Sequence, residues 1–272
     1  MTTDISIQEL VNKVRSNTFD IMEAVGIGHG GGSLSIVEIL VALYYGVARV
    51  DARNPRWEDR DRIILSKGHA CESMYAVLGE KGFFPKEKFK EYLQFNSMLQ
   101  GHTERRTPGV EYSGGSLGQG ISFACGVAYA AKLQKKNFKV YCILGDGECH
   151  EGEVWEAAMF ASHYKLDNLY AIVDYNHYCD HDDVDEMMNL QPFDSKWKSF
   201  GWEVIYENKG NDANKLIHDL RQLETISGKP KCIIADTVKN FGVPSWEKAH
   251  LHQVAGKDLC DGIKEGRELL KK

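Results

Sequence analysis

Apolar residues recur at three- and four-residue spacing from position 7 to 25, with Leu10, Val14 and Ile21 on one face, so this stretch predicts an amphipathic helix. A glycine-dense loop follows over 26–33. Ser35 and Glu38 then have capping-box spacing and predict a second helix to about Val47. Short apolar runs without helical period predict buried strands at 62–66, 139–144, 169–173, 203–206 and 231–236. Helical patterns lie between them at 70–79, 117–133, 151–165, about 195–200, and 213–226. Positions 84–92 read as a solvated helix face, 95–115 as a long irregular stretch and 177–183 as a solvated loop. After Thr237 the chain has little periodicity but carries His250 and His252. Strands alternating with helices predict a three-layer α/β/α fold with a mainly parallel sheet covered on both faces.

The segment 151–165 carries the argument furthest. Gly145-Asp146-Gly147 follows an apolar run, and Asp-Gly in that position usually marks a hairpin turn. A hairpin needs its second strand at once, whereas Val154, Ala157, Ala158, Ala161 and Tyr164 repeat with helical spacing. The unit is therefore strand–helix–strand. A right-handed crossover brings the two strand ends to one edge of the sheet, with Asp146 at one and Asn176 at the other. A carboxylate oxygen and an amide oxygen placed there suit a magnesium ion that also takes diphosphate oxygens and water.

Composition narrows the classes. The 272 residues suffice for one large α/β domain with a substantial core, and 43% of them are hydrophobic. There are 33 basic against 39 acidic residues, net −6, with no basic stripe, which argues against a nucleic-acid partner. The N-terminus lacks a signal-peptide pattern, and no apolar run approaches the roughly 18 residues of a membrane span. Seven scattered cysteines, an odd number, read as reduced thiols of a cytoplasmic protein.

Four histidines stand in or beside glycine-rich or irregular segments: His29, His69, His102 and His252. An isolated histidine is usually packed or solvated. Glycine beside the first three lets backbone approach a ligand closely, and several such loops at strand ends are what a cofactor cleft contains. The stretch 113–120, Ser-Gly-Gly-Ser-Leu-Gly-Gln-Gly, opens a helix. Its free N–H groups suit an anion, and they equally suit a close-packed helix start.

Taken together, Gly28-His-Gly-Gly-Gly-Ser-Leu-Ser35, Leu65-Ser-Lys-Gly-His-Ala70, Gly101-His-Thr-Glu104, Ser116-Leu-Gly-Gln-Gly120, Gly145-Asp-Gly-Glu-Cys-His-Glu-Gly152 and Asp174-Tyr-Asn176 resemble, in this order, the N-terminal diphosphate-binding domain of transketolase. The resemblance runs from about residue 7 to 255. It implies the thiamine diphosphate-binding fold, with thiamine diphosphate and magnesium (calcium or manganese as substitutes). Asp146 and Asn176 would hold the metal by side chains and Tyr178 by its backbone carbonyl. Gly145, Gly147, His69 and His252 would line the diphosphate, and Gly115 and Leu117 the thiazolium or pyrimidine. His29 and His102 would face the sugar and handle protons. Glu151, with Glu156, would lie at the subunit interface on the path linking two cofactors.

The chain departs from the family pattern at Gly30, where proline is usual, at Gly114 for threonine, and at Gln253 for glycine. The last makes His250 the fallback for His252. The resemblance implies one domain over 1–272, with the pyrimidine-binding and C-terminal domains on a separate chain. That partner, the C-terminal transketolase subunit, would supply the glutamate that activates the cofactor. Self-association would give a heterotetramer acting on sugar phosphates. Three other readings stay open: part of a 2-oxo acid dehydrogenase, a deoxyxylulose phosphate synthase-like enzyme, and a non-catalytic cofactor-binding homologue. Paired His29 and His102 loops suit a polyhydroxylated substrate better than a short oxo acid.

Overall fold

Strand-forming runs and amphipathic helices assemble as their periods require. The computed structural model describes residues 5–271. Five parallel strands lie in the order Arg62–Leu65, Val140–Gly145, Leu169–Tyr175, Lys231–Asp236, Glu203–Glu207. Register sets Gly145 opposite Asp174, and Tyr175 opposite Asp236.

Alternate residues of a strand point to opposite faces. Accordingly Ile63, Tyr141, Ile143, Tyr170, Ile172 and Ile233 join one core, and Ile64, Cys142, Leu144, Ala171, Val173 and Ile234 the other. The helices Ile7–Val25, Cys71–Lys81 and Ala213–Leu223 cover the first face. Gln119–Leu133, Gly152–His163 and Phe193–Ser199 cover the second. These are the three layers.

Several local expectations fail for identifiable reasons. Ser35 and Glu38 form no capping box, because each has a stronger partner elsewhere. Arg15 binds the Glu38 carboxylate at 2.6 Å, and the Ser35 hydroxyl donates to Asp174 at 2.7 Å. Ser6 and Glu9 form the capping box instead, at the start of the first helix. The loop at 26–33 contains a two-residue strand, Ile27–Gly28, paired antiparallel with Val254–Ala255, and a helical turn, Gly30–Leu34. The stretch 84–92 holds a 3-10 helix, Lys86–Glu91, in place of an α-helix; Lys86, Glu87 and Lys90 form its exposed face, while Phe84, Phe89 and Tyr92 are buried. Within 177–183, Tyr178–Cys179 pairs with Asp182–Asp183.

The tail holds two helices, Pro244–Ala249 and Gly256–Leu269. Glycines hid the second one, because they lower helix propensity. Here they serve packing: a Cβ on Gly262 would lie 2.0 Å from the Trp246 indole nitrogen, and one on Gly266 would lie 2.6 Å from Phe19. No helix among the described residues is long and apolar enough to cross a membrane. All seven cysteines are free thiols, five of them buried.

Candidate active site

The strands Val140–Gly145 and Leu169–Tyr175 are neighbours in the parallel ladder, with Gly145 opposite Asp174, so the turns after them share one edge of the sheet. Asp146 is 2% exposed, and its carboxylate accepts from the N–H of Gly147 at 2.8 Å and of His177 at 2.7 Å. The second bond ties it to the turn that carries Asn176. The Asn176 amide donates to Asp174 at 2.9 Å, while its oxygen accepts from the Tyr178 N–H at 3.2 Å. A cleft of about 370 Å³ opens here, and Asp146, Asn176 and Tyr178 all line it.

Eleven of the fourteen residues singled out from the sequence meet in this cleft. Gly145, Gly147, Gly115 and Leu117 line it, as do His29, His69, His102 and His252. The imidazoles cluster. Ring centroids of His29 lie 5.7 Å from His69, 6.3 Å from His102 and 5.7 Å from His252. His250 stays outside, stacked on Tyr178 at 4.0 Å. Glu151 is also outside: it stands exposed at the N-cap position of Gly152–His163, its side chain making no cap bond, and Glu156 on that helix borders an apolar groove with Ser122 and Phe160.

Three buried or half-buried charges complete the site without a sequence signal of their own. Asp174, fully buried, accepts from Ser35 at 2.7 Å, Lys67 at 2.5 Å, Asn176 at 2.9 Å and Thr237 at 2.5 Å. Lys67 also donates to the Gly32 carbonyl at 3.0 Å and faces the cleft. Lys239 reaches the cleft from the far side and donates to the Asp180 carbonyl. Lys67 and Asp174 stand inside two of the family-like motifs, the one hint of their place. Lys239 stands in none.

Glu148 anchors the loop carrying Leu117: it accepts from the Gly118 N–H at 2.8 Å, the Gly145 N–H at 2.9 Å and the Ser66 hydroxyl. Close approach also explains Gly147, where a Cβ would lie 2.7 Å from the Cys179 sulfur.

The electrostatics show what the cleft lacks. Burial, with Asp174 nearby, pushes the Asp146 carboxyl up to about 7, as expected of a buried carboxylate short of positive charge. Burial likewise pulls Lys239 down to about 8, although Asp146 opposes this. His69 is held well below the usual histidine range by burial and by Lys67. Among the described residues, no three His, Cys, Asp or Glu side chains form a ready metal cage. A divalent cation here therefore needs ligands from a bound molecule as well. Two side-chain oxygens beside two ammonium groups and an imidazole fit a cation and a diphosphate together.

His252 makes the acid side of this balance measurable. Burial and Lys239 lower it to about 4, while Asp180, 3.9 Å away, only partly opposes them. Between about 6.5, the unfolded value, and this folded value, the unfolded chain binds a proton that the folded chain does not. Stability from this group is therefore complete above pH 6.5 and is lost as pH falls toward 4. Melting temperatures should drop over that interval, and His252→Gln should flatten the drop. Identical slopes for the two proteins would contradict the assignment.

A cleft at the carboxyl edge of an open parallel sheet, with metal-type oxygens and cationic groups facing each other, defines an α/β protein built to hold a phosphorylated cofactor. The family model described as the thiamine diphosphate binding domain of transketolase matches residues 6–270, and the chain belongs to that family. A 6-deoxy-6-sulfo-D-fructose transketolase subunit, SqwG, from Clostridium sp. (strain MSTE9) is 41% identical, over 88% of this chain and 86% of its own. One of the subunits of an apulose-4-phosphate transketolase, from Phocaeicola vulgatus, is 36% identical, over 96% of this chain and 93% of its own. Among solved structures, transketolase from Campylobacter jejuni superposes with a TM-score of 0.89 at 32% identity. That match covers 97% of this chain and 42% of the other, so this chain spans about two fifths of the solved enzyme.

Proposed function

We propose that this chain is the thiamine diphosphate-binding subunit of a two-component transketolase, which moves a two-carbon ketol unit from a ketose donor to an aldose acceptor. The observation that carries the reading is the convergence of Asp146 and Asn176 with Lys67, Lys239, His69 and His252 in one cleft. Near end-to-end similarity to two proteins named as transketolase subunits supports the two-component form.

The chemistry supplied by thiamine diphosphate is reversible cleavage and formation of the carbon–carbon bond beside a ketose carbonyl. This chain's residues place and polarise the reactants. The Asp146 carboxylate and the Asn176 and Tyr178 oxygens would hold magnesium; Lys67, Lys239 and the neutral His69 and His252 would hold the diphosphate. Gly115 and Leu117 lie where the rings of the cofactor would rest. His29 and His102, further along the cleft, would bind substrate hydroxyls and take up or return their protons. Burial, with His29 nearby, lowers the His102 pKa, so its imidazole is neutral at pH 7 and able to accept. The partner would bring the pyrimidine-binding domain and its activating glutamate. Glu151 and Glu156 would sit where two such assemblies meet in a heterotetramer.

Two relatives are named for ketoses carrying a sulfonate or a phosphate. A donor with a terminal anionic group is accordingly the expected class. The test is ketol transfer by this chain, by the subunit carrying the pyrimidine-binding domain, and by both together. Only the mixture should turn over. Full-rate transfer by this chain alone would contradict the two-component reading, as would an inactive mixture that releases carbon dioxide from pyruvate instead.

A further inference from the structure

Behind the histidine cluster lies a carboxylate that the cofactor and metal contacts leave unused. Glu72, second residue of the helix Cys71–Lys81, is completely buried. It accepts from the His29 backbone N–H at 2.9 Å, the Tyr92 hydroxyl at 2.9 Å and the Ser33 hydroxyl at 2.7 Å. Among the described residues no lysine or arginine nitrogen lies within 4 Å of it. The ring beside it is His29, whose Nδ1 is 3.7 Å from Oε1. That is too long for a hydrogen bond but close enough to set the sign of the interaction. Burial raises the Glu72 pKa, while the His29 ring first, then the His29 N–H and the Ser33 hydroxyl, pull it below the ordinary carboxylate value. The three donors that end on its oxygens suit a carboxylate whichever proton the ring carries.

The other ring nitrogen has a different neighbour. His29 Nε2 lies 2.8 Å from the side-chain nitrogen of Gln253. An amide nitrogen only donates, so Nε2 is the acceptor and the ring proton sits on Nδ1. Nδ1 is itself buried and makes no hydrogen bond. Electrostatics select the same tautomer independently of how the amide is turned. An unprotonated Nδ1 would aim its lone pair at an ionised carboxylate in a dry pocket, whereas Nδ1–H aims a donor at it.

We propose that Glu72 is a positioning residue for His29: it fixes the Nδ1–H tautomer and leaves the Nε2 lone pair turned to the cleft, where the Gln253 amide holds it until a substrate hydroxyl takes its place. The catalytic use rests on the assignment of His29 to the sugar side of the cleft; the tautomer does not. Which nitrogen carries the proton decides whether a histidine can act as a base toward its substrate, and a wrong tautomer costs such enzymes orders of magnitude in rate.

The tautomer is read by ¹⁵N NMR of the full-length chain labelled at histidine, at pH 8, with the His29 signals assigned through His29→Gln. Wild type should show Nδ1–H, Gln253→Ala should retain it, and Glu72→Gln should give a mixture of both forms. Nε2–H in wild type, or an unchanged Nδ1–H signal in Glu72→Gln, would overturn the proposal. Where Glu72→Gln folds poorly, Nε2–H in wild type or loss of Nδ1–H in Gln253→Ala would still overturn the proposal. In the reconstituted complex, Glu72→Gln should lower kcat by about 10- to 100-fold, with KM changed far less. A shifted tautomer with unchanged kcat would remove the positioning role and leave the transketolase reading untouched. A wild-type complex without ketol transfer would strike that reading and leave the tautomer result standing.

Discussion

Asp146→Asn is expected to abolish magnesium-dependent binding of thiamine diphosphate while leaving the ligand-free fold as stable as wild type, within about 1–2 kcal/mol. Two opposing effects set the second half of that expectation. The carboxyl is pushed up to about 7, so above the unfolded value its ionised form costs folding free energy, fully so above pH 7. The neutral amide removes this cost. It also leaves one side-chain oxygen for the two N–H groups of Gly147 and His177 that now bond separate oxygens. The binding half is larger. A ligand at a hundred times its Kd stabilises by about 2.7 kcal/mol, which for a chain of this size is a rise of about 5–10 °C in Tm. That rise should appear in wild type with cofactor and magnesium and vanish in the variant. Ketol transfer should fall by about three orders of magnitude, because several kcal/mol of cation binding is removed and each 1.4 kcal/mol is tenfold in rate. A variant that keeps the ligand-induced Tm rise would show that the cation sits elsewhere.

The second large effect is expected from Asp174→Ala, and it is mainly one of stability. Four donors from four separate segments end on this one buried carboxylate: Ser35, Lys67, Asn176 and Thr237. Deleting it leaves the Lys67 ammonium, 3% exposed, without its counter-ion. Breaking a buried ion pair from one side costs about 3–5 kcal/mol, and the orphaned hydroxyls and amide add to this. Tm should fall by about 6–20 °C. The double variant Asp174→Ala, Lys67→Met should recover much of that loss, since it removes the unpaired charge, but it should not recover cofactor binding. A double variant no more stable than the single one would mean that the charge is not the cause.

The strands and the long amphipathic helices were legible because burial on one face imposes a period that the chain displays directly. The crossover from Val140–Gly145 to Leu169–Tyr175 is the clearest case, and it alone sufficed to bring Asp146 and Asn176 to one edge. Contacts between distant segments were not legible. Ser35 bonds Asp174 and Glu38 pairs with Arg15, so a local capping box lost to two partners that folding supplies. Lys239 has no motif around it and becomes part of the cleft only because the Asp236 strand ends there. The last helix was masked by Gly256, Gly262 and Gly266, two of which are small for the sake of Trp246 and Phe19. Glu72 was invisible for the same reason as Lys67. A buried charge has no signature until its partners are assembled.

The most direct measurement is the crystal structure of the reconstituted two-subunit complex with thiamine diphosphate and magnesium. The account predicts one cation, about 2.0–2.1 Å from an Asp146 oxygen and from the Asn176 side-chain oxygen, sharing diphosphate oxygens as ligands, with Lys67, Lys239 and His69 around the diphosphate. A diphosphate bound away from these residues, or a cation held without Asp146 and Asn176, would contradict it.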